Sequence, residues 1–379
     1  MPATRRTFLK LLAASGAAIA LPGRRVIAGP GPGKVFVAHS TQMTSNDPTV
    51  KRTAIGAGLD SCLVELARSE GAAPIARVGD AWEWLLGGVT PTTKIAVHVT
   101  AFFVSLDLLN SPQWETIQAI VAGLKDMLAG SFPAGNIRVF DNNMSGINRV
   151  NAVYGASNLD GLGVAHDLNT YGGPTLTVNG TTLYQHVYMG DADVIINLAR
   201  LSGHQYEPGS GPGITGCVKG LMGATSASQD SFGGIANVFH DTSRHWQGHR
   251  DLWRLLRSRV KVNIMDMVRA SYHEREAFSA DVNEIAVSRD PCAIDGYAAQ
   301  KLLETFPGTP YAGLSIPEAV ASEHSDWSTN FTRVEVPIPA VYDAPPPTRR
   351  QVEDIVRAHR AGAATDADVK ALIKKYREQ

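Results

Sequence analysis

Short apolar runs and longer helical stripes follow one another along this chain. Residues 34–39 read as a buried strand, and residues 49–69 follow with Ile55, Leu59, Leu63 and Leu66 on one helical face. Residues 95–99 are a second apolar run. Ser111-Pro112 is a helix start, from which Ile117, Ile120, Val121, Leu124 and Leu128 carry an apolar stripe to Gly130. Residues 137–140 form a third strand, ending at Asp141-Asn142-Asn143. Strand and helix alternate, which predicts an α/β fold: a mostly parallel mixed sheet flanked by helices. The rhythm breaks between residues 155 and 190. There Asn179-Gly180 sits between alternating residues over 176–183 and predicts an inserted β-hairpin. Alternation resumes with strands at 194–198, 260–265 and 283–287, a helix near Gly216 and another after Pro291. Ala344-Pro-Pro-Pro347 closes the globular part, and residues 348–359 and 365–378 read as a C-terminal helical tail. The expected organisation is a leader over 1–28, an α/β domain over 29–343 that two subdomains could share with a break near 155–190, and a linker with its tail over 344–379.

The first residues follow a different rule. Arg5, Arg6 and Lys10 precede an apolar stretch over 11–21 that is rich in Ala and Gly and too short for a comfortable membrane span. Val26-Ile27-Ala28 offers small residues for cleavage after Ala28. Thr4-Arg-Arg-Thr-Phe-Leu-Lys10 resembles a twin-arginine export signal. That resemblance implies a partner, the twin-arginine translocase, an exported or periplasmic location, and folding before export, often around a cofactor. An uncleaved N-terminal anchor is the other reading. Cleavage takes away Arg5, Arg6, Lys10, Arg24 and Arg25 and no acid, moving the formal charge from -1 to -6. Such a chain lacks the basic face that nucleic acid or an anionic membrane surface requires, and no later stretch predicts a stable membrane span. Cys62, Cys217 and Cys292 are sparse and odd in number, so they form no disulfide framework. No C-x-x-C occurs, and no self-contained iron–sulfur motif is encoded.

Candidate chemistry gathers in residues 195–223. A strand ending in polar residues leads through a glycine-rich loop to a helix beginning near Thr215 and Gly216. In open α/β sheets ligands bind beyond the carboxyl ends of strands. Free N–H groups at that helix start, together with Lys219, would favour a phosphate or a carboxylate; an ordinary solvated loop is the other reading. No Gly-Lys-Ser/Thr makes this a Walker loop, and no glycine fingerprint follows the first strand. No Gly-x-Ser-x-Gly supports a serine hydrolase. Asp290-Pro291 reads as an N-cap and first helical position. Asp295, one turn on and between apolar neighbours, needs a partner and is the stronger functional candidate. Cys292 reads as packing. His240, His245 and His249 are candidate ligands for a transition metal, the last two sharing a face if the segment is helical. His39 and His98 end strands and could face the same cleft.

Asn197…Arg200…His204 followed by Thr215-Gly216…Lys219 resembles the Asn-Pro-Lys-x-Lys-Thr-His…Thr-Gly-x-x-Lys-Asn pattern of domain of unknown function 362, a prokaryotic family with no settled activity. Asp290-Pro-Cys-Ala-Ile-Asp295 resembles its Asp-Pro-Val-Ala-Val-Asp block, and Leu86-Gly87-Gly88 fits an earlier segment. Order and spacing agree over residues 34–305. Ser202 and Gly203 replace a Lys-Thr, and Gly220 replaces an Asn, so an inherited anion site would be altered here. The resemblance implies a cleft drawing on Asn197, His204, Thr215, Gly216, Lys219 and Asp295, with Lys219, Asp295 and His204 as catalytic candidates. Three functions are expected: a cofactor- or metal-associated, redox-related protein; a non-catalytic protein that binds a small anionic ligand or docks on a redox partner; or a metal-dependent hydrolase.

Overall fold

The computed structural model of the protein describes residues 33–101, 111–141, 143–144, 147–166, 171–204, 213–229, 233–272, 279–307, 313–340, 365 and 369–370. The leader over 1–28 lies outside these residues, as does the tail over 348–378 apart from 365 and 369–370.

The strands of the two larger sheets are β1 (Gly33–His39), β2 (Ile95–Val99), β3 (Ile137–Phe140), β4 (Thr175–Val178), β5 (Thr181–Gln185), β6 (Val194–His204), β7 (Gly213–Thr215), β8 (Thr225–Ser226), β9 (Val260–Ser271), β10 (Ala280–Ser288) and β11 (Phe331–Glu335). One eight-stranded sheet has the order β11-β1-β10-β9-β6-β2-β3, with β7 paired to β6. Strands β11, β1, β9, β6, β2 and β3 all point the same way, while β10 and β7 run against them. The fold is therefore α/β with a mostly parallel mixed sheet, as the alternation predicts. Apolar side chains cover both faces, the usual condition for parallel strands. In β1, Phe36 and Ala38 enter the core on one face, Val35 and Val37 the core on the other.

Helices α1 (Pro48–Ser69), α2 (Val78–Leu86) and α3 (Trp114–Gly130) cover the first face. Asp47 caps α1 by accepting from Thr49 N at 2.8 Å and Val50 N at 3.2 Å, with Pro48 at the first position. The predicted stripe Ile55, Leu59, Leu63 and Leu66 is buried. Helix α3 begins three residues after the predicted Ser111, because Asp266 of β9 accepts from Gln113 N and Thr116 Oγ1, each at 2.6 Å. The short helix α4 (Arg149–Tyr154) adds Val150 and Tyr154 to the first face, and on the second lie the short α5 (Cys217–Gly220), then α6 (Gln247–Leu256), α7 (Pro291–Thr305) and α8 (Ser315–Ala321). The predicted hairpin is β4–β5, with Asn179 and Gly180 at φ 47° and 73°, and β8 completes its small sheet.

Strands β6 and β9 run well past the predicted ends, to His204 and Ser271. Polar residues such as Arg200, Ser202 and Asp266 interrupt the apolar pattern there, yet they are buried and paired in the ladder. Helix α2 and strand β11 have no counterpart in the sequence reading. Helix α2 stops at Gly87 and Gly88, both left-handed at φ 82° and 86°. Strand β11 is an edge strand of largely polar residues, so its alternation is weak.

Candidate functional site

A polar row crosses the sheet among the apolar layers. His98 of β2, Asn197 of β6 and Asn263 of β9 stand in register, all buried. Asn197 Nδ2 donates to the Asn263 side-chain oxygen at 3.1 Å and to the Cys217 carbonyl at 2.9 Å. Its Oδ1 is thereby left to accept from His98 Nδ1, 3.2 Å away. The row ties the sheet to α5, so Asn197 holds that helix from below. The other ring nitrogen of His98 faces Asp141 Oδ1 at 3.6 Å. Asp141, just beyond β3, also accepts from Ala101 N at 3.1 Å.

The start of α5 carries a second acid. Asp295 of α7 reaches across with both oxygens, accepting from Cys217 N at 2.7 Å and Val218 N at 3.0 Å. Gly216 makes this approach feasible: a Cβ there would stand 2.3 Å from Asp295 Oδ1. The helix start that the sequence reading offers to an external anion is thus filled by the protein's own carboxylate. Burial pushes the Asp295 carboxyl up to about 7, against the opposing pull of the two N–H bonds.

Cations converge above this floor, at the carboxyl ends of β2, β3 and β6. Arg200 of β6 is 1% exposed and donates from Nη1 to the Thr100 carbonyl at 2.8 Å. Arg149 of α4 donates from Nη1 to the Ala101 carbonyl at 3.1 Å, 3.9 Å from Asp141 Oδ2. Lys219 of α5 is 3% exposed. Burial, followed by the charge of Arg149, pushes the Arg200 guanidinium down to about 9. Burial and then Arg200 hold the Lys219 ammonium well below the usual lysine range. Burial and then Lys219 take His240 down to about 4, and burial, Lys219 and His240 hold His249 well below the usual histidine range. At an effective dielectric constant of about 20, like charges about 7 Å apart repel by roughly 2 kcal/mol. Placing several in one buried neighbourhood costs stability and raises the local potential for an anion.

The sequence profile of the domain of unknown function (DUF362) matches residues 111–300, half of the chain. The chain belongs to this family. No curated protein matches it. In this DUF362 chain the matched stretch holds Asp141, Arg149, Asn197, Arg200, Lys219, His249 and Asp295. Its two motif blocks, distant in sequence, meet through the Asp295 bridge to α5. Two of the departures from the family pattern, Gly203 and Gly220, stand where a side chain would not fit. A Cβ at Gly220 would lie 2.4 Å from Thr100 Oγ1, and one at Gly203 would lie 2.2 Å from the Tyr272 carbonyl oxygen.

Other residues singled out from sequence fall as follows. Asp290 is the N-cap of α7, accepting from Cys292 N at 2.8 Å and Ala293 N at 3.1 Å, and it also takes Ser328 N at 2.9 Å. Cys217 and Cys292 are buried thiols whose pKa burial drives up, which makes them inert packing groups. Thr215 is buried in β7, opposite Ser202. His204 ends β6, and its side chain lies outside the described residues. His39 ends β1 on the exposed side.

The histidine run is not one helical face. Helix α6 begins at Gln247, while His245 and Trp246 are left-handed at φ 51° and 57°. His245 is exposed and His249 is buried, so the predicted His245–His249 pair does not form. His240 and His249 do share an environment with Lys219. Among the described residues no group of three or more His, Cys, Asp or Glu side chains could hold a metal ion. Sequence reasoning missed Arg149, Thr100 and Asp141 as site members and treated Arg200 only as motif. The signal for Arg200 was present, since a charge between Ala199 and Leu201 inside a buried strand demands a role. Arg149 opens a short helix and carries no such mark.

Proposed function

We propose that this protein is exported and binds a small oxyanion at the carboxyl ends of β2, β3 and β6. The convergence of Arg149, Arg200 and Lys219 in a buried neighbourhood carries this reading. Arg200 sits under the site on a rigid strand, Lys219 comes from a helix start pinned by Asp295, and Arg149 closes the side next to Asp141. The Arg5-Arg6 leader supports passage through the twin-arginine translocase to the periplasm or its equivalent. The net negative mature chain favours neither nucleic acid nor an anionic membrane, and no helix among the described residues is long and apolar enough to cross a bilayer.

The test is thermal unfolding of the mature chain with inorganic phosphate, pyrophosphate and citrate. A bound anion stabilises by RT ln(1 + [L]/Kd), so at a hundred times Kd the gain is about 2.7 kcal/mol. Lys219→Ala should remove most of that gain for every anion tested. An equal gain in the variant and the wild type would end the proposal.

A metal or redox cofactor is the second reading, favoured by one observation: the ring nitrogens of His249 have no hydrogen-bond partner. It requires a third ligand beyond His240 and His249. Metal analysis and visible spectra of natively exported protein decide it, stoichiometric metal that disappears in His249→Ala being the supporting result.

A further inference from the structure

Among the described residues, His249 alone has two buried side-chain polar atoms without a hydrogen-bond partner. It is 0% exposed, and neither Nδ1 nor Nε2 has a hydrogen-bond partner. Its ring lies between two aromatic neighbours, with centroids 5.1 Å from Phe239 and 6.3 Å from Trp246. That slot suits a phenylalanine, which would avoid the desolvation penalty of two bare polar atoms. One turn along the same face of α6, Trp253 donates from Nε1 to the Val218 carbonyl at 2.9 Å. This contact seats α6 against the turn that carries Lys219 and directs the His249 face toward the cations. Thr100 Oγ1 is another buried polar atom with no hydrogen-bond partner. The Thr100 side chain packs against Gly220 of the α5 turn, and its carbonyl receives Arg200. Each buried polar atom without a partner asks for an explanation, and these two stand beside the turn that carries Lys219.

We propose that His249 is a ligand-contacting residue, hydrogen-bonding an oxygen of the anion held by Arg149, Arg200 and Lys219, with Thr100 contacting the same anion from β2. The inference rests on the anion reading above and names the ligand's class. Arg149, Arg200, Lys219, His249 and Thr100 belong to five separate segments: α4, β6, α5, α6 and the end of β2. Donors supplied by separate segments suit a tetrahedral oxyanion, a phosphate or phosphoryl group, better than a planar carboxylate. His249 is kept at the expense of fold stability, because its unmet nitrogens are satisfied only when the ligand is present.

Calorimetric titration of the mature chain with inorganic phosphate tests this, alongside ligand-free unfolding temperatures. His249→Phe should unfold at a higher temperature than wild type without phosphate and bind phosphate at least tenfold more weakly. His249→Asn and His249→Gln place an amide nitrogen near Nδ1 and Nε2, and one of them should restore part of the affinity. Thr100→Val should weaken binding with little effect on unfolding. If His249→Phe lowers the unfolding temperature and leaves phosphate affinity unchanged, His249 is a packing residue and the proposal falls while the anion reading stands. Unchanged affinity with a raised unfolding temperature means that the nitrogens serve only a resident water, and the proposal falls again. If wild type takes up no phosphate, both readings fail. If it takes up zinc instead and His249→Phe does not, His249 is a metal ligand and the proposal is overturned.

Discussion

Lys219 is held in a place where its charge is expensive. It lies in the first turn of α5, inside the protein, where the charge of Arg200 opposes its own. A bound anion reverses that balance and favours the ammonium form, so binding takes up a proton wherever the free lysine is neutral. Sulfate keeps its charge from mildly acidic to alkaline pH and therefore reports on the protein alone. Its affinity should fall as pH rises past the depressed lysine pKa, and Lys219→Arg should move that fall to higher pH because a guanidinium is the stronger base. Titration calorimetry across that range measures both profiles. A fall at the same pH in wild type and the arginine variant would contradict the assignment.

Four aspartates, Asp47 exposed and the other three buried, mark the starts of helices: Asp47 at α1, Asp266 at α3, Asp290 at α7 and Asp295 at α5. The first and third were legible in sequence because each directly precedes a proline, a local signature. The other two act from a different element, and nothing local announces them. For that reason the start of α5 looked open to an anion when only its own residues were read. The consequence is measurable. Asp295→Ala strips the acceptor from two buried N–H groups, at a cost of about 2–4 kcal/mol, and frees the turn that presents Lys219. Gly216→Ala should act similarly by pushing the carboxylate away. Asp290→Ala should cost about 1–2 kcal/mol as a lost cap and leave anion affinity within twofold of wild type. Urea denaturation paired with anion titration separates the two aspartates. Equal effects on affinity would mean that Asp295 is only another cap. The strand and helix order was equally readable from local periodicity. The convergence of Arg149 with Arg200 was not, because it depends on which strands become neighbours.

At the scale of the whole molecule, buried titratable groups pull stability in opposite directions. His240 and His324 each have a pKa depressed to about 4, mainly by burial, so the unfolded chain binds their protons first. Their contribution is complete above about pH 6.5 and is lost as pH falls toward 4. Asp290 and Asp295, raised to about 6 and about 7, act the other way, adding stability as pH falls from 7 toward 4. The two sets offset each other, and a variant exposes one of them. His240→Gln should lose about 1–2 kcal/mol less stability than wild type between pH 6.5 and 4.5, after discounting for its partial exposure. Chemical denaturation at the two pH values checks this, and an unchanged difference would remove His240 from the account. The order of the sheet carries a mechanical consequence as well. Strand β1, the first described element, is not at an edge: it is hydrogen-bonded to β10 on one side and β11 on the other. A pull on the residues before it acts along the strand and loads both ladders together in shear, instead of peeling one bond at a time. The N-terminal end of the chain is therefore a strong handle, by which the folded protein can be drawn without being unravelled.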